Sequence, residues 1–286
     1  MKWQDQEGSD NIEDRRLSGG GMARAGGVGG LGVVAIVVIG YFLGIDVTPL
    51  LNDPSLMGQP TQTAQTTLSP EEKAAGQFAS VTLADTEKVW GTIFTTQLGR
   101  TYHPTIMVLF SGATPSACGT ANAATGPFYC PGDKKVYLDT AFFTTLSRQL
   151  GAGGDFASAY VVAHEVGHHV QDELGILGKA DAARSQSSET RANAISVRLE
   201  LQADCFAGVW ARAAQDKLGV LEPGDIAEAM NAASKIGDDT LQRNAGRTPM
   251  PDSFTHGTSA QRQRWFNAGY QNGQVNACDT FGATNL

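Results

Sequence analysis

The alternation of apolar and polar positions divides this chain into a low-complexity front and a patterned remainder. Residues 1–27 are polar and glycine-rich and offer almost nothing to bury, so they are expected to form a disordered leader. Residues 28–45 are apolar apart from glycines, carrying Leu31, Val33, Val34, Ile36, Val37, Val38, Ile39, Phe42 and Leu43. As a helix this run would span roughly 27 Å, close to the ~30 Å hydrocarbon core of a bilayer. No small-residue cleavage pattern follows it, which favours an uncleaved transmembrane helix over a signal peptide. Residues 46–69 are rich in Pro, Thr, Gln and Ser and read as a linker.

From residue 70 the pattern becomes that of one folded domain, 70–286, with no linker-like break inside it. Ser69 suits a helix N-cap, Pro70 the first helical position, and Glu71 and Glu72 the first turn. A helix is expected over 74–98, where Phe78, Val81, Leu83, Val89, Trp90, Ile93 and Phe94 supply apolar positions. The β-branched run 105–110 reads as a strand, as does 134–139. If 134–139 lies at a sheet edge it is a candidate for pairing with an extended peptide backbone, beside the plainer reading of an ordinary sheet strand. A short helix at 142–150 precedes a longer one from Asp155 to about Leu174, and a third long helix spans 187–218.

The second of these helices carries His164-Glu165-Val166-Gly167-His168. On a helix, positions four apart share a face, so both imidazoles can grip one metal ion while Glu165 projects beside them. Two imidazoles plus one further protein ligand suit a single Zn²⁺ with a remaining position for water. The chain has only five histidines, and two of them flank a glutamate at this offset. His169 lies about 100° round the helix from His168 and is read as packing or support.

The third long helix contains Glu200-Leu201-Gln202-Ala203-Asp204 among apolar neighbours that include Leu199, Cys205, Phe206, Val209 and Trp210. Acids on one face in such surroundings are rarely left unpaired, because burying a bare carboxylate is costly. Glu200 is therefore the expected third metal ligand, and Asp204 the acceptor that orients a ligand histidine. Further on, His256 precedes a helix that Thr258 or Ser259 would cap, where it can fill the turn or serve the site. Arg262 and Tyr270 are more remote candidates, and His103 reads as structural or exposed.

Lys+Arg is 21 against Asp+Glu 29, net −8, without a basic cluster, so nucleic acid has no electrostatic footprint here. Lys2, Arg15, Arg16 and Arg24 precede the apolar run, whereas no Lys or Arg follows it until Lys73. The positive-inside rule then puts the N-terminus in the cytoplasm and the domain beyond the membrane. Cys118, Cys130, Cys205 and Cys278 contain no CxxC pair, and an extracytoplasmic site would allow disulfides. A bridge from Cys118 to Cys130 closing the turn-rich loop, with Cys205 to Cys278 beside it, is the natural expectation among three formal pairings.

The HExxH helix followed by E-x-x-x-D resembles the thermolysin-like zincins of the gluzincin kind. More closely, the chain resembles the bacterial neutral zinc metallopeptidases, in residues 126–131, 136–139, 163–169, 200–205 and 253–266. That resemblance implies an α+β, mostly helical zincin-like domain with a small sheet, preceded by one transmembrane helix. It also implies a single-pass inner-membrane protein with a periplasmic or extracellular catalytic domain. Its expected role is hydrolysis of peptides or proteins by a Zn-activated water, with Glu165 as general base and, by the likeness to thermolysin-like enzymes, His256 as donor to the developing oxyanion. The competing reading is a non-catalytic zincin-fold module that binds peptides at the cell envelope, and hydrolysis of non-peptide amides is a third.

Overall fold

The computed structural model describes residues 1–17, 67–122 and 125–286. Strand β1 (Ile12–Asp14) comes first, then helix α1 (Pro70–Ile93), whose last turn runs on as a π-helical segment over Phe94–Leu98. Strands β2 (Ile106–Phe110), β3 (Ala113–Ser116), β4 (Gly119–Asn122), β5 (Phe128–Cys130) and β6 (Lys135–Asp139) follow. The rest is helical: α2 (Phe142–Arg148), α3 (Asp155–Glu173), α4 (Ile176–Ser185), α5 (Glu189–Leu218), α6 (Asp225–Lys235), α7 (Asp238–Asn244) and α8 (Ser259–Asn272). Helix α1 starts as its sequence dictates: Ser69 and Glu72 exchange hydrogen bonds in a capping box, an arrangement worth about 1 kcal/mol. Thr258 and Gln261 do the same for α8.

The expected architecture needs one correction. The described residues are mostly helical with small sheets, and no helix among them is long and apolar enough to cross a membrane. The apolar run at 28–45, read from the sequence as that helix, lies outside the described residues. So do residues 18–27 of the leader and all but the end of the 46–69 linker.

Residues 1–17, expected to be disordered, are instead built into the domain. Ile12, Glu13 and Asp14 pair in parallel with Met107, Val108 and Leu109. Trp3 packs edge-to-face on Phe78, with ring centroids 5.4 Å apart. The Met1 ammonium lies 2.6 Å from Asp155 and 3.2 Å from Asp225. A polar segment with few apolar residues becomes ordered here because a sheet edge supplies backbone partners, which composition does not register.

The main sheet has the order β1-β2-β6-β5, with β5 antiparallel to β6 and the other pairs parallel. Strand β6 is therefore interior, which sets aside the edge-strand reading of 134–139 in favour of the ordinary sheet strand, and β5 forms the edge. Strands β3 and β4 form a separate hairpin. A disulfide from Cys118 to Cys130 ties its turn to β5, and a second from Cys205 to Cys278 ties the C-terminal segment to α5.

Helices α3, α5 and α8 stack closely, and small residues make that possible. A methyl carbon on Gly269 would lie 1.9 Å from the Cys205 carbonyl oxygen, an impossible contact. Between the paired histidines, a methyl carbon on Gly167 would stand 3.0 Å from the Ala203 carbonyl oxygen. Gly167 thus lets α5 approach α3 near enough for Glu200 to reach the histidine pair.

A candidate metal centre

His164 and His168 rise from one face of α3, their ring centroids 4.8 Å apart and their planes perpendicular. Glu200, from α5, faces both. Its Oε2 lies 3.1 Å from His164 Nε2, and its Oε1 lies 3.5 Å from His168 Nε2. One ligand atom from each of these residues falls within 4.8 Å of the other two. The structure thus brings together the three residues expected to bind metal.

The outer nitrogens are occupied elsewhere. His164 Nδ1 lies 2.8 Å from Asp204 Oδ1, and His168 Nδ1 lies 2.8 Å from Gln171 Oε1. With both Nδ1 atoms engaged, both Nε2 atoms are aimed at Glu200, the orientation a shared metal requires.

Asp204 is fully buried and is held by more than the histidine. Arg262 of α8 donates to both of its oxygens, at 2.8 and 2.9 Å, and Tyr160 donates its hydroxyl to the same carboxylate. Tyr160 is one turn before His164 on α3. Burial alone would raise the Asp204 carboxyl, but the Arg262 guanidinium and His164 carry it far below the usual range. Glu200 follows the same logic: burial opposes its ionisation, yet His168, His256 and a hydrogen bond with His164 hold it well below the ordinary carboxylate value. Burial raises the Glu165 carboxyl, which His164 and His168 partly offset and which accepts from the Tyr129 backbone N–H. A carboxylate of raised pKa beside a metal site is suited to taking and returning a proton.

His256 comes to the same cleft on the loop before α8. Asp238, at the start of α7, holds that loop: its Oδ2 accepts the backbone N–H groups of Thr255, His256 and Gly257 at 2.7 to 2.9 Å. Its Oδ1 lies 3.2 Å from His256 Nδ1. Burial lowers the His256 pKa, but Glu200 and Asp238 outweigh it and leave the imidazole more basic than usual.

His164, Glu165, His168, Glu200, His256 and Arg262 line a cleft of about 370 Å³. Edge strand β5 supplies Phe128 and Tyr129, and apolar walls come from Phe142, Leu150, Ile236 and Leu241. Volume and mixed lining are those of a small-ligand or side-chain site.

Other residues named from the sequence fall elsewhere. His169 donates Nε2–H to the His103 carbonyl and meets the Tyr129 hydroxyl, a supporting role. His103 has an exposed ring paired with Glu173. Tyr270 packs against the core. Tyr160, Asp238 and Gln171 were missed. Tyr160 could have been found, since it continues the one-turn spacing of His164 and His168. Asp238 and Gln171 carry no local signal that separates them from ordinary polar positions.

A family profile described as "Putative neutral zinc metallopeptidase" matches residues 1–281. The chain is 46% identical over 291 residues to the uncharacterized protein YpfJ of Escherichia coli K12, covering 99% of each chain. It is 50% identical over 190 residues to the uncharacterized protein Rv2575 of Mycobacterium tuberculosis, covering 63% of each. No solved structure matches it.

Proposed function

This chain belongs to the neutral zinc metallopeptidase family, and from that premise we propose that it hydrolyses peptide bonds with one zinc ion held by His164, His168 and Glu200. The donor set fits zinc: two imidazole nitrogens and one carboxylate oxygen converge, with the opposite nitrogens already hydrogen-bonded. When bound there, zinc would polarise a carbonyl and bring the pKa of water towards about 7.

The remaining work falls to side chains of this chain. Glu165 takes the proton of the attacking water and returns it to the departing amine. Its buried carboxyl, steadied by the Tyr129 N–H, is placed for both transfers. His256, kept basic by Asp238, donates a hydrogen bond to the oxygen of the substrate carbonyl as negative charge develops there. Asp204, braced by Arg262 and Tyr160, fixes the tautomer of His164. Edge strand β5, paired on one side with β6, offers the backbone of its other side to an extended peptide.

The observation that carries this reading is the convergence of three ligand atoms beside a buried glutamate on the same helix. The two disulfides support an oxidising compartment outside the cytoplasm. The test is zinc content of the purified protein together with cleavage of a broad peptide library by wild type and Glu165→Gln. One zinc per chain, with cleavage abolished in the variant, is expected. Zinc binding with no cleavage by the wild type would favour a peptide-binding module instead.

A further inference from the structure

The two histidines of the pair are supported in chemically different ways. His164 faces an anion, Asp204, whose charge is balanced by Arg262. His168 faces a neutral amide. Its Nδ1 lies 2.8 Å from Gln171 Oε1, and Gln171 is completely buried.

The direction of that bond follows from the remaining contacts of Gln171. Its amide nitrogen has two protons, given to the Leu199 carbonyl at 2.7 Å and to Gln202 Oε1 at 3.1 Å. The Gln171 oxygen is thus left as an acceptor, so His168 must donate from Nδ1 and turn its Nε2 lone pair towards Glu200. Gln202, having accepted from Gln171, donates its own Nε2–H to the Cys278 carbonyl at 2.9 Å. Cys278 is bridged to Cys205, which lies on α5 beyond Gln202.

Building on the zinc reading above, we propose that Gln171 and Gln202 are positioning residues that hold His168 in its metal-binding tautomer. The chain of donors runs one way only, from His168 to the disulfide-tied C-terminal segment. Reversing the His168 tautomer would set its bare Nδ1 against the Gln171 oxygen, two acceptors in a buried site. Flipping Gln171 to relieve that clash would turn its oxygen onto the Leu199 carbonyl and Gln202 Oε1, so the relay resists local rearrangement. A neutral relay also leaves Glu200 as the one anion among the three converging ligands. The C-terminal segment thereby contributes to metal affinity from a distance, without touching the metal.

The test uses the full-length chain and its Gln171→Met, Gln171→Glu and Gln202→Met variants. Zinc dissociation constants are measured by competition with a chromophoric chelator, and histidine ring-nitrogen NMR on the chelated protein, at a pH high enough that His168 is neutral, reads the tautomer. Gln171→Met should weaken zinc binding about 10- to 100-fold, the usual cost of losing a ligand's hydrogen-bond partner. It should also turn His168 from a pure Nδ1–H form into a mixture. Gln171→Glu keeps an acceptor for His168 but sets its second oxygen against the Leu199 carbonyl and Gln202 Oε1, so it should not restore wild-type affinity, and full recovery would overturn the relay. A folded Gln171→Met protein with wild-type affinity and an unchanged tautomer would overturn the proposal. If that variant does not fold, Gln202→Met decides: a weakened affinity supports the relay, and a wild-type value overturns it. Wild-type protein that binds no zinc defeats the zinc reading instead, and an Nε2–H signature for its His168 defeats the relay independently.

Discussion

Asp238 holds His256 from two sides at once: one carboxylate oxygen collects three consecutive backbone N–H groups of the loop, and the other faces the imidazole Nδ1. The loop and the ring are therefore positioned by a single side chain. If His256 donates to the oxyanion, its loss should lower kcat without releasing metal. His256→Ala is expected to reduce kcat by about 10²- to 10³-fold, with KM and zinc content nearly unchanged. Asp238→Asn should show a smaller kcat loss together with a lower melting temperature, because it weakens the loop anchor as well. Steady-state kinetics and zinc analysis on the same preparations check this, and an unaltered kcat in His256→Ala would assign the residue to packing alone.

Glu165 is buried beside the ligand pair but is not among the converging metal ligands. Glu165→Gln keeps its size and removes only its ability to accept a proton. Peptidase activity should fall by at least about 10²- to 10⁴-fold, the range for loss of general acid–base catalysis. Zinc stoichiometry should stay at one per chain. Loss of zinc in this variant would instead make Glu165 a ligand, contrary to the geometry described here.

Removing the charge of Asp204 should have two consequences that separate from each other. Asp204→Asn leaves the buried Arg262 guanidinium without its anion, and breaking such a pair typically costs about 3–5 kcal/mol. It also replaces the charged acceptor of His164 with a neutral amide oxygen, which should weaken zinc binding about 10-fold. Tyr160→Phe removes only one of the bonds to Asp204 and should cost about 1 kcal/mol with little change in zinc affinity. Denaturant titrations and chelator competition distinguish the two variants, and equal effects on zinc would contradict the assigned order of contacts.

The parts of this site that were legible in the sequence are those whose spacing is set by one helix. His164 and His168 share a face because they are one turn apart, and Glu200 and Asp204 stood out as acids in an apolar run. What brings the two helices together was not legible, because the contact of Gly167 with Ala203 depends on packing rather than on local pattern. Arg262 meets Asp204 across a separation of 58 residues, and no periodicity records that pairing. Strand order was equally hidden: the pattern of 134–139 suits an edge strand and an ordinary sheet strand alike, and only β5 and β2 on either side make it interior. The ordered start of the chain was missed for the same reason, since β1 owes its existence to β2, almost a hundred residues later.

Asp85, on α1 and far from the cleft chemistry, sets a final test in stability rather than catalysis. Its side chain is 1% exposed and neither carboxylate oxygen has a hydrogen-bond partner, the nearest cation being Lys88 Nζ at 3.7 Å. Burial raises its pKa from the ordinary 3.8 to about 6, with Lys88 opposing the shift. The folded chain therefore binds this proton more tightly than the unfolded chain does. The stability it contributes is complete below about pH 3.8 and is lost as the pH rises through about 6. That interval corresponds to roughly 3 kcal/mol of buried-charge cost at neutral pH. Asp85→Asn removes the charge, so it should be more stable than wild type at pH 8 by about 1–3 kcal/mol. Between about pH 6 and pH 4 the advantage should shrink towards zero. Urea unfolding of both proteins across that range isolates Asp85 from the other carboxylates, because only the difference between the two curves depends on it. Parallel curves would show that the Asp85 carboxyl reaches solvent or a partner in the folded protein.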